Sequence, residues 1–163
     1  MINNKEKNKP INYERAKWLA LYYIGIKART EAEIRKKLTE KGAASQICDK
    51  TVDFLKEYGY INDEEYARMY ISDACNLKKH GARRIKMDLR MKGISDDISQ
   101  RIFSEIEPDF YSPLSALTEK KAAGLDISDP KQRNRLIAFL QRRGYGINEI
   151  IKAVKEYEET LQK

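Results

Sequence analysis

The segment Ile85-Lys-Met-Asp-Leu89-Arg-Met-Lys-Gly93 decides the fold, because its apolar spacing and its closing glycine recur along the chain. The other two copies of this triplet are Ile34, Leu38, Gly42 and Leu136, Leu140, Gly144. The three glycines lie 51 residues apart in both steps. Self-similarity at a fixed period is typical of repeat proteins, in which one structural unit is copied along the chain.

The residues around each triplet predict helices. Two apolar residues four positions apart lie on one face of a helix, and a glycine ends a helix because it accepts left-handed backbone angles. Thr30 and Glu33 have the spacing of a capping box, which predicts the start of the first of these helices. The apolar pattern of the preceding helix also recurs after 51 residues, from Ala16, Leu19, Ala20 and Tyr23 to Ala67, Tyr70, Ile71 and Ala74.

A third helix follows each glycine, and no segment alternates with the two-residue period of a strand. We therefore predict an all-α fold of three tandem three-helix repeats that form an elongated, curved rod. The predicted division is a flexible tail over 1–12 and repeats over 13–60, 61–107 and 108–163. The third repeat is the least regular, since Lys121 stands where Leu19 and Tyr70 stand in the others. Ser112 before Pro113 and Asp129 before Pro130 predict the starts of two of its helices.

Composition limits the class of protein. Hydrophobic residues make up 41% of the 163 residues and charged residues 35%, which suits a helical protein with a heavily solvated surface. The net charge of +7 favours an acidic or polyanionic partner. The longest apolar run, from Trp18 to Ile26, is too short to span a membrane, and we expect a cytoplasmic protein. Cys48, Cys75 and His80 cannot form a standard structural zinc site, so we expect reduced cysteines and no metal.

Basic residues are concentrated in the middle helix of the second repeat. Residues 78–92 contain seven lysines and arginines against Asp88 alone. Arg83, Lys86 and Arg90 follow one another at helical spacing, and three aligned like charges repel unless an acidic surface faces them. The basic stripe is either an ordinary solvated helix surface or a partner-binding surface, and similar cations in the other two middle helices predict that it continues along the row.

Other candidate sites are few. Tyrosines cluster around the first connection between repeats, where packing is their ordinary role, and Tyr60, in a loop, is our candidate for partner contact. The chain has no phosphate-binding glycine loop, no nucleophile elbow and no paired histidine ligands. Carboxylate pairs such as Asp63 and Glu64 fall in first helical turns, where they interact favourably with the helix dipole. We expect neither an enzyme nor a cofactor.

Two stretches carry a resemblance to a known family. Leu55-Lys-Glu-Tyr-Gly-Tyr-Ile-Asn-Asp-Glu-Glu-Tyr-Ala67, followed by Lys79-His-Gly-Ala-Arg-Arg-Ile85 and Leu89-Arg-Met-Lys-Gly-Ile94, resembles the RecX family of recombinase regulators. Thr30-Glu-Ala-Glu-Ile-Arg-Lys-Lys-Leu38 is similar to the first-repeat element of that family. The resemblance covers residues 13–107, and the third repeat matches by period and helix plan more than by sequence.

The resemblance implies a bacterial protein that binds RecA filaments on single-stranded DNA in their helical groove. Such a protein would inhibit the recombinase, ATPase and co-protease activities of RecA. We expect it to act as a monomer, with weak direct binding to DNA at most. The implied contact residues are Arg83, Arg84, Lys86, Arg90 and Lys92, extended by Arg35, Lys36, Arg142 and Arg143.

A second hypothesis is a helix-turn-helix-like protein that acts directly on nucleic acid, because three-helix units with a basic helix also describe that class. Asn or Gln beside Arg on the exposed face would favour base recognition, and the middle helix of the second repeat has neither.

Overall fold

The computed structural model describes residues 11–161, which form nine α-helices and no strand. The helices are α1 Tyr13–Ile26, α2 Glu31–Glu40, α3 Ser45–Glu57, α4 Asp63–Asn76, α5 Ala82–Met91, α6 Asp96–Ile106, α7 Tyr111–Ala122, α8 Pro130–Arg142 and α9 Ile147–Thr160. The predicted all-α repeat architecture is confirmed. Most of the predicted tail, residues 1–10, lies outside the described residues, and Asn12 caps α1 by accepting a hydrogen bond from the Arg15 amide.

The molecule has three hydrophobic cores in place of one. Helices α1–α3, α4–α6 and α7–α9 each enclose a separate cluster of buried residues. Each helix packs most closely on helices of its own group. The triplet residues are central to these cores: Ile34, Leu38, Ile85 and Leu89 are fully buried. Burial of one such side chain contributes about 2 kcal/mol, so the recurring triplet stabilises each repeat locally.

The connections between repeats are themselves packed. Ile61, which follows the predicted limit of repeat 1, is buried in the first core. Phe110 packs against both the second and the third core. The buried Tyr145 of the third core donates a hydrogen bond from its hydroxyl to the carbonyl of Lys79, 3.0 Å away in repeat 2. Adjacent repeats are therefore joined by contacts and not by free linkers, while the curvature of the row stays a prediction.

Each triplet glycine ends its helix as predicted. Gly42, Gly93 and Gly144 have φ angles of 88°, 79° and 95°, in the left-handed region that disfavours a side chain. The amide after the glycine then donates back to the second apolar residue of the triplet, as from Ile94 to the Leu89 carbonyl at 3.0 Å. This bond satisfies a carbonyl that the helix end would otherwise leave without a partner.

Most predicted helix starts are also confirmed. Thr30 and Glu33 form the capping box of α2, and Asp129 caps α8 with Pro130 in its first turn. The prediction of Ser112 as a cap is wrong, because α7 begins at Tyr111, two residues before Pro113, although Pro113 does lie in the first helical turn. The carboxylate of Asp109 accepts from the Tyr111 amide at 2.8 Å and from the Ser112 amide at 3.1 Å. Asp109, and not Ser112, therefore satisfies the first free amides of α7.

Candidate partner-binding surface

The middle helices of the repeats, α2, α5 and α8, meet head to tail. The start of α5 contacts the end of α8, where the Gly81 amide donates to the Arg143 carbonyl at 2.8 Å and the Arg83 amide to the Gly144 carbonyl at 3.2 Å. The start of α2 contacts the end of α5, where the Thr30 hydroxyl donates to the Lys92 carbonyl at 2.6 Å. We call these contacts the second and the first junction. Positive helix starts meet negative helix ends in both, which favours this order.

The triplet glycines also permit this close approach. A Cβ atom on Gly93 would lie 2.2 Å from the Cβ of Ala32, and one on Gly144 would lie 2.4 Å from the Arg84 amide nitrogen. Gly42, at the free end of the row, has no such neighbour. Two of the three glycines therefore have a second role that the sequence analysis missed, because the period identifies a copied residue but not what packs against it.

The basic residue before each glycine is copied too, as Lys41, Lys92 and Arg143. The Lys92 ammonium lies 3.4 Å from a carboxylate oxygen of Glu33 across the first junction. The Arg143 guanidinium donates to the Lys78 carbonyl at 2.8 Å across the second junction. Lys92 and Arg143, both predicted as partner contacts, thus have structural contacts between repeats. The 51-residue recurrence alone does not show this role, because Lys41 is copied too and lies at the free end of the row.

The stripe of Arg83, Lys86 and Arg90 lies on the exposed side of α5. Arg90 is not free, because its guanidinium makes hydrogen bonds of 2.8–3.2 Å to both carboxylate oxygens of Asp96. The Asp96 carboxylate thus faces the stripe at this residue and offsets part of its like-charge repulsion. The Lys86 ammonium lies 5.2 Å from the centre of the Phe103 ring, and Arg83 has no side-chain ion pair among the described residues.

Arg84 is also engaged within α5. Its Nε donates to Asp88 at 3.0 Å, and the Tyr70 hydroxyl donates to the same carboxylate at 3.0 Å. Burial, together with the hydrogen bond to Asp88, raises the pKa of Tyr70 to about 12. Asp88, the only acidic residue of this basic segment, is thus buried and accepts hydrogen bonds from both Tyr70 and Arg84.

The candidate contact residues in repeats 1 and 3 also include both paired and unpaired cations. Arg35 bridges Glu31 at 2.9 Å and Asp49 at 2.5 Å, so its charge is neutralised within repeat 1. Hydrogen bonds to these two carboxylates raise the Arg35 pKa against the opposing effect of burial. Lys36 and Arg142 are exposed and have no ion pair within the part of the chain that the structure describes.

The stripe of α5 is not copied in register. The positions 51 residues before Arg83, Lys86 and Arg90 are Ala32, Arg35 and Thr39, and those 51 residues after are Asn134, Ile137 and Gln141. The row of middle helices therefore presents separate free cations. Among the predicted contact residues, the free cations are Lys36, Arg83, Lys86 and Arg142.

Tyr60 lies in the loop between α3 and α4 and is about half exposed. Its ring centre is 6.1 Å from that of Phe54. It borders a groove between repeats 1 and 2 together with Tyr66 and Met69. This position leaves the Tyr60 ring accessible to a partner, as the prediction requires.

Over residues 11–161, no three His, Cys, Asp or Glu side chains lie close enough to hold a metal ion. None of the described helices is long and apolar enough to cross a membrane. Cys48 and Cys75 are buried free thiols.

Comparison with known proteins assigns each repeat to the same family. Residues 16–55, 62–101 and 114–154 match the models described as the first, second and third three-helix domains of RecX. The chain is 31% identical over 137 residues to the regulatory protein RecX of Vibrio vulnificus, covering 84% of this chain and 89% of that protein. It is 38% identical over 146 residues to the regulatory protein RecX of Clostridium perfringens, covering 86% of this chain and 68% of the relative.

Solved structures support the same fold. The crystal structure of RecX from Lactobacillus salivarius superposes with a TM-score of 0.77 at 23% identity, covering 90% of this chain and 96% of that chain. A second crystal structure of a regulatory protein RecX gives a TM-score of 0.74 at 21% identity and covers 88% and 71% of the two chains. The three consecutive domain matches and the shared architecture lead to one conclusion: this chain belongs to the RecX family of regulatory proteins.

Proposed function

We propose that this protein binds RecA filaments on single-stranded DNA along the row of middle helices and inhibits the recombinase, ATPase and co-protease activities of RecA. Membership of a family of regulatory proteins supports a regulatory role. The observation that carries the proposal is the head-to-tail order of α2, α5 and α8, which gives one molecule several cationic contact points on a long surface. We further propose that it acts in the cytoplasm as a monomer.

The dimensions of the row suit a polymeric partner. The middle helices contain 10, 10 and 13 residues, and at a rise of 1.5 Å per residue their combined length is about 50 Å. A surface of this length can contact more than one subunit of a filament at once. Contacts distributed over several subunits can block filament growth or promote filament loss by binding alone, so this mode of inhibition requires no catalytic group.

The free cations are the side chains available for an acidic groove. Arg83, Lys86, Lys36 and Arg142 do not have to break a carboxylate pair before they bind, whereas Arg35, Arg84 and Arg90 do. We therefore rank the four free cations above the paired ones as contacts. Tyr60 adds an accessible aromatic ring beside the first junction.

The test is inhibition of the RecA ATPase on single-stranded DNA by a variant with Arg83→Glu, Lys86→Glu and Arg142→Glu. Its matched control is Lys27→Glu, Lys120→Glu and Lys155→Glu, which makes the same change in net charge at exposed positions outside the middle helices. We expect the first variant to lose inhibition and the control to keep it, with helical circular dichroism in both. Normal inhibition by the first variant would refute the proposed surface.

The second hypothesis, direct action on nucleic acid, is tested by a separate measurement of binding to bare DNA and to RecA filaments. Binding of the protein to bare DNA with sequence preference, without binding to RecA filaments, would replace our proposal with a helix-turn-helix-like function. Salt separates the two further, because affinity for duplex DNA falls by about 0.9 log units per log unit of salt for each phosphate contacted.

A further inference from the structure

A polar cavity of about 460 Å³ lies beside the first junction, between α4, α5 and the start of α2. Lys78, Arg84 and Lys92 line it together with His80, which is the only histidine of the chain. The carboxylates that line it are Asp88 and Glu33. Three permanent positive charges therefore face two negative ones, and we call this space the His80 cavity.

Asp88 already has hydrogen-bond partners within the protein. Its side chain is only 8% exposed, and it accepts hydrogen bonds from both Tyr70 and Arg84. Arg84 uses its Nε for this bond, and its side chain is 42% exposed, so its outer N–H groups remain available. The Lys78 ammonium has no carboxylate partner among residues 11–161 and lies 4.9 Å from the centre of the Tyr70 ring. The cavity thus keeps two donors that its own acids do not engage.

His80 has an unsatisfied nitrogen at the same place. Its Nδ1 is shielded from solvent, makes no hydrogen bond and lies 3.8 Å from Asp88 Oδ2, which is beyond hydrogen-bonding distance. Burial and the nearby Arg143 lower the pKa of His80, Arg84 and Lys78 lower it further, and Asp88 opposes them. An added anion would oppose this lowering, because negative charge favours the protonated ring.

We propose that the His80 cavity binds a phosphate group. Lys78, in the loop before α5, and the outer N–H groups of Arg84 supply the donors, and Lys92, which pairs with Glu33, adds positive charge. Separate donors of this kind suit the several oxygens of a phosphate group. This proposal goes beyond the regulatory function, since it requires only this protein and the anion. The phosphate group belongs either to free inorganic phosphate or to a nucleic-acid backbone.

The single histidine makes the test direct. The imidazole resonances of the full chain are followed by NMR as a function of pH, with inorganic phosphate or with sodium chloride at the same ionic strength. We expect phosphate to raise the pKa of His80 by about one pH unit, with a saturable dependence on concentration. A single-stranded oligodeoxynucleotide in place of phosphate tells whether a nucleic-acid backbone also reaches the cavity.

Lys78→Gln and Lys155→Gln form a matched pair, because each removes one positive charge from an exposed lysine and only Lys78 lines the cavity. We expect Lys78→Gln to weaken phosphate binding by about tenfold and Lys155→Gln to leave it unchanged. A phosphate effect that does not saturate, or that is equal in both variants, would overturn the proposal. Unchanged amide spectra away from the cavity verify that each variant is folded.

Discussion

At the scale of single residues, Gly93 has two structural roles, one in ending a helix and one in a contact between repeats. Its φ angle of 79° ends α5, and its missing Cβ admits Ala32 of the neighbouring repeat. Gly42 has a φ angle of 88° and no such neighbour. The two positions therefore separate the cost of a left-handed backbone from the cost of a blocked junction.

We predict that Gly42→Ala lowers the free energy of unfolding by about 1 kcal/mol, the cost of a Cβ in the left-handed region. Gly93→Ala should lower the free energy of unfolding by about 1–3 kcal/mol more than Gly42→Ala, because the added methyl group overlaps Ala32. Urea unfolding followed by circular dichroism measures both. The double variant Ala32→Gly, Gly93→Ala should recover part of the difference, and equal losses at Gly42 and Gly93 would contradict the junction contact.

Tyr70 gives a second prediction at this scale, for alkaline pH. Its pKa is about 12 in the folded protein against an ordinary value of 10.0, because burial and Asp88 both oppose the tyrosinate. Below pH 10 both states carry the proton and Tyr70 adds its full stabilisation. Between pH 10 and about 12 the unfolded chain releases the proton while the folded protein retains it, so stability falls as the pH rises.

The measurement is the free energy of unfolding in urea at several pH values within that window. Tyr70→Phe has no proton to release and should show a shallower fall than the wild-type protein. Burial also raises the pKa of Tyr145, so a residual slope is expected in this variant. An identical slope in the two proteins would show that Tyr70 is not protected from ionisation.

At the scale of helices, α2 and α6 begin with similar caps that differ in their surroundings. The Thr30 hydroxyl accepts from the Glu33 amide and donates to the Lys92 carbonyl in the next repeat. The Ser95 hydroxyl accepts from the Ile98 amide at the start of α6. The cap of α2 therefore also makes a contact between repeats, whereas the cap of α6 hydrogen-bonds within its own helix.

We predict that Ser95→Ala costs about 1 kcal/mol of stability, the usual loss for a helix cap. Thr30→Ala should cost about 1 kcal/mol more, because it also leaves the Lys92 carbonyl without its donor. Thr30→Ser keeps the hydroxyl and serves as the control, with stability expected close to that of the wild-type protein. Chemical denaturation compares the three, and equal losses for the two alanine variants would argue against the hydrogen bond across the junction.

At the scale of the whole molecule, three separate cores are coupled through narrow junctions. In such an array, stability is approximately the sum of the repeats and of the contacts between neighbours. Cys48 lies in the first core and Cys75 in the second, and the Cys75 thiol is 3.2 Å from the Asp109 carbonyl at the connection to repeat 3. The two buried thiols therefore report opening of different parts of the row.

We predict that Gly144→Ala increases the rate at which a thiol reagent modifies Cys75 and leaves the rate at Cys48 nearly unchanged. The added methyl group would collide with the backbone of Arg84 and open the second junction. Local opening costs less than global unfolding, and each 1.4 kcal/mol lost raises the rate about tenfold. Mass spectrometry assigns the modified cysteine, and Gly42→Ala is the control. Equal acceleration at both cysteines would mean that the row opens as one unit.

The repeat, the helices and most of their ends could be predicted from the amino-acid sequence. These features depend on residues within one or two turns: apolar spacing defines a helix face, and a glycine before an apolar residue defines a helix end. The sequence also identified the basic candidates, because composition and spacing are local properties. The helix start at Ser112 was wrong since Asp109, three residues earlier, accepts from the Tyr111 and Ser112 amides and so allows the helix to begin earlier.

Which cations are unpaired, and which glycines lie against a neighbouring repeat, became known only from the folded chain. Glu33 reaches Lys92 from 59 residues away, and the Lys78 carbonyl that holds Arg143 is 65 residues away. Whether a charge is neutralised depends on where such distant groups come to lie, and a periodic sequence gives identical local signals at occupied and unoccupied positions. Gly42 and Gly93 have the same sequence pattern around them. Their surroundings differ, because Gly42 lies at the free end of the row while Gly93 contacts the next repeat.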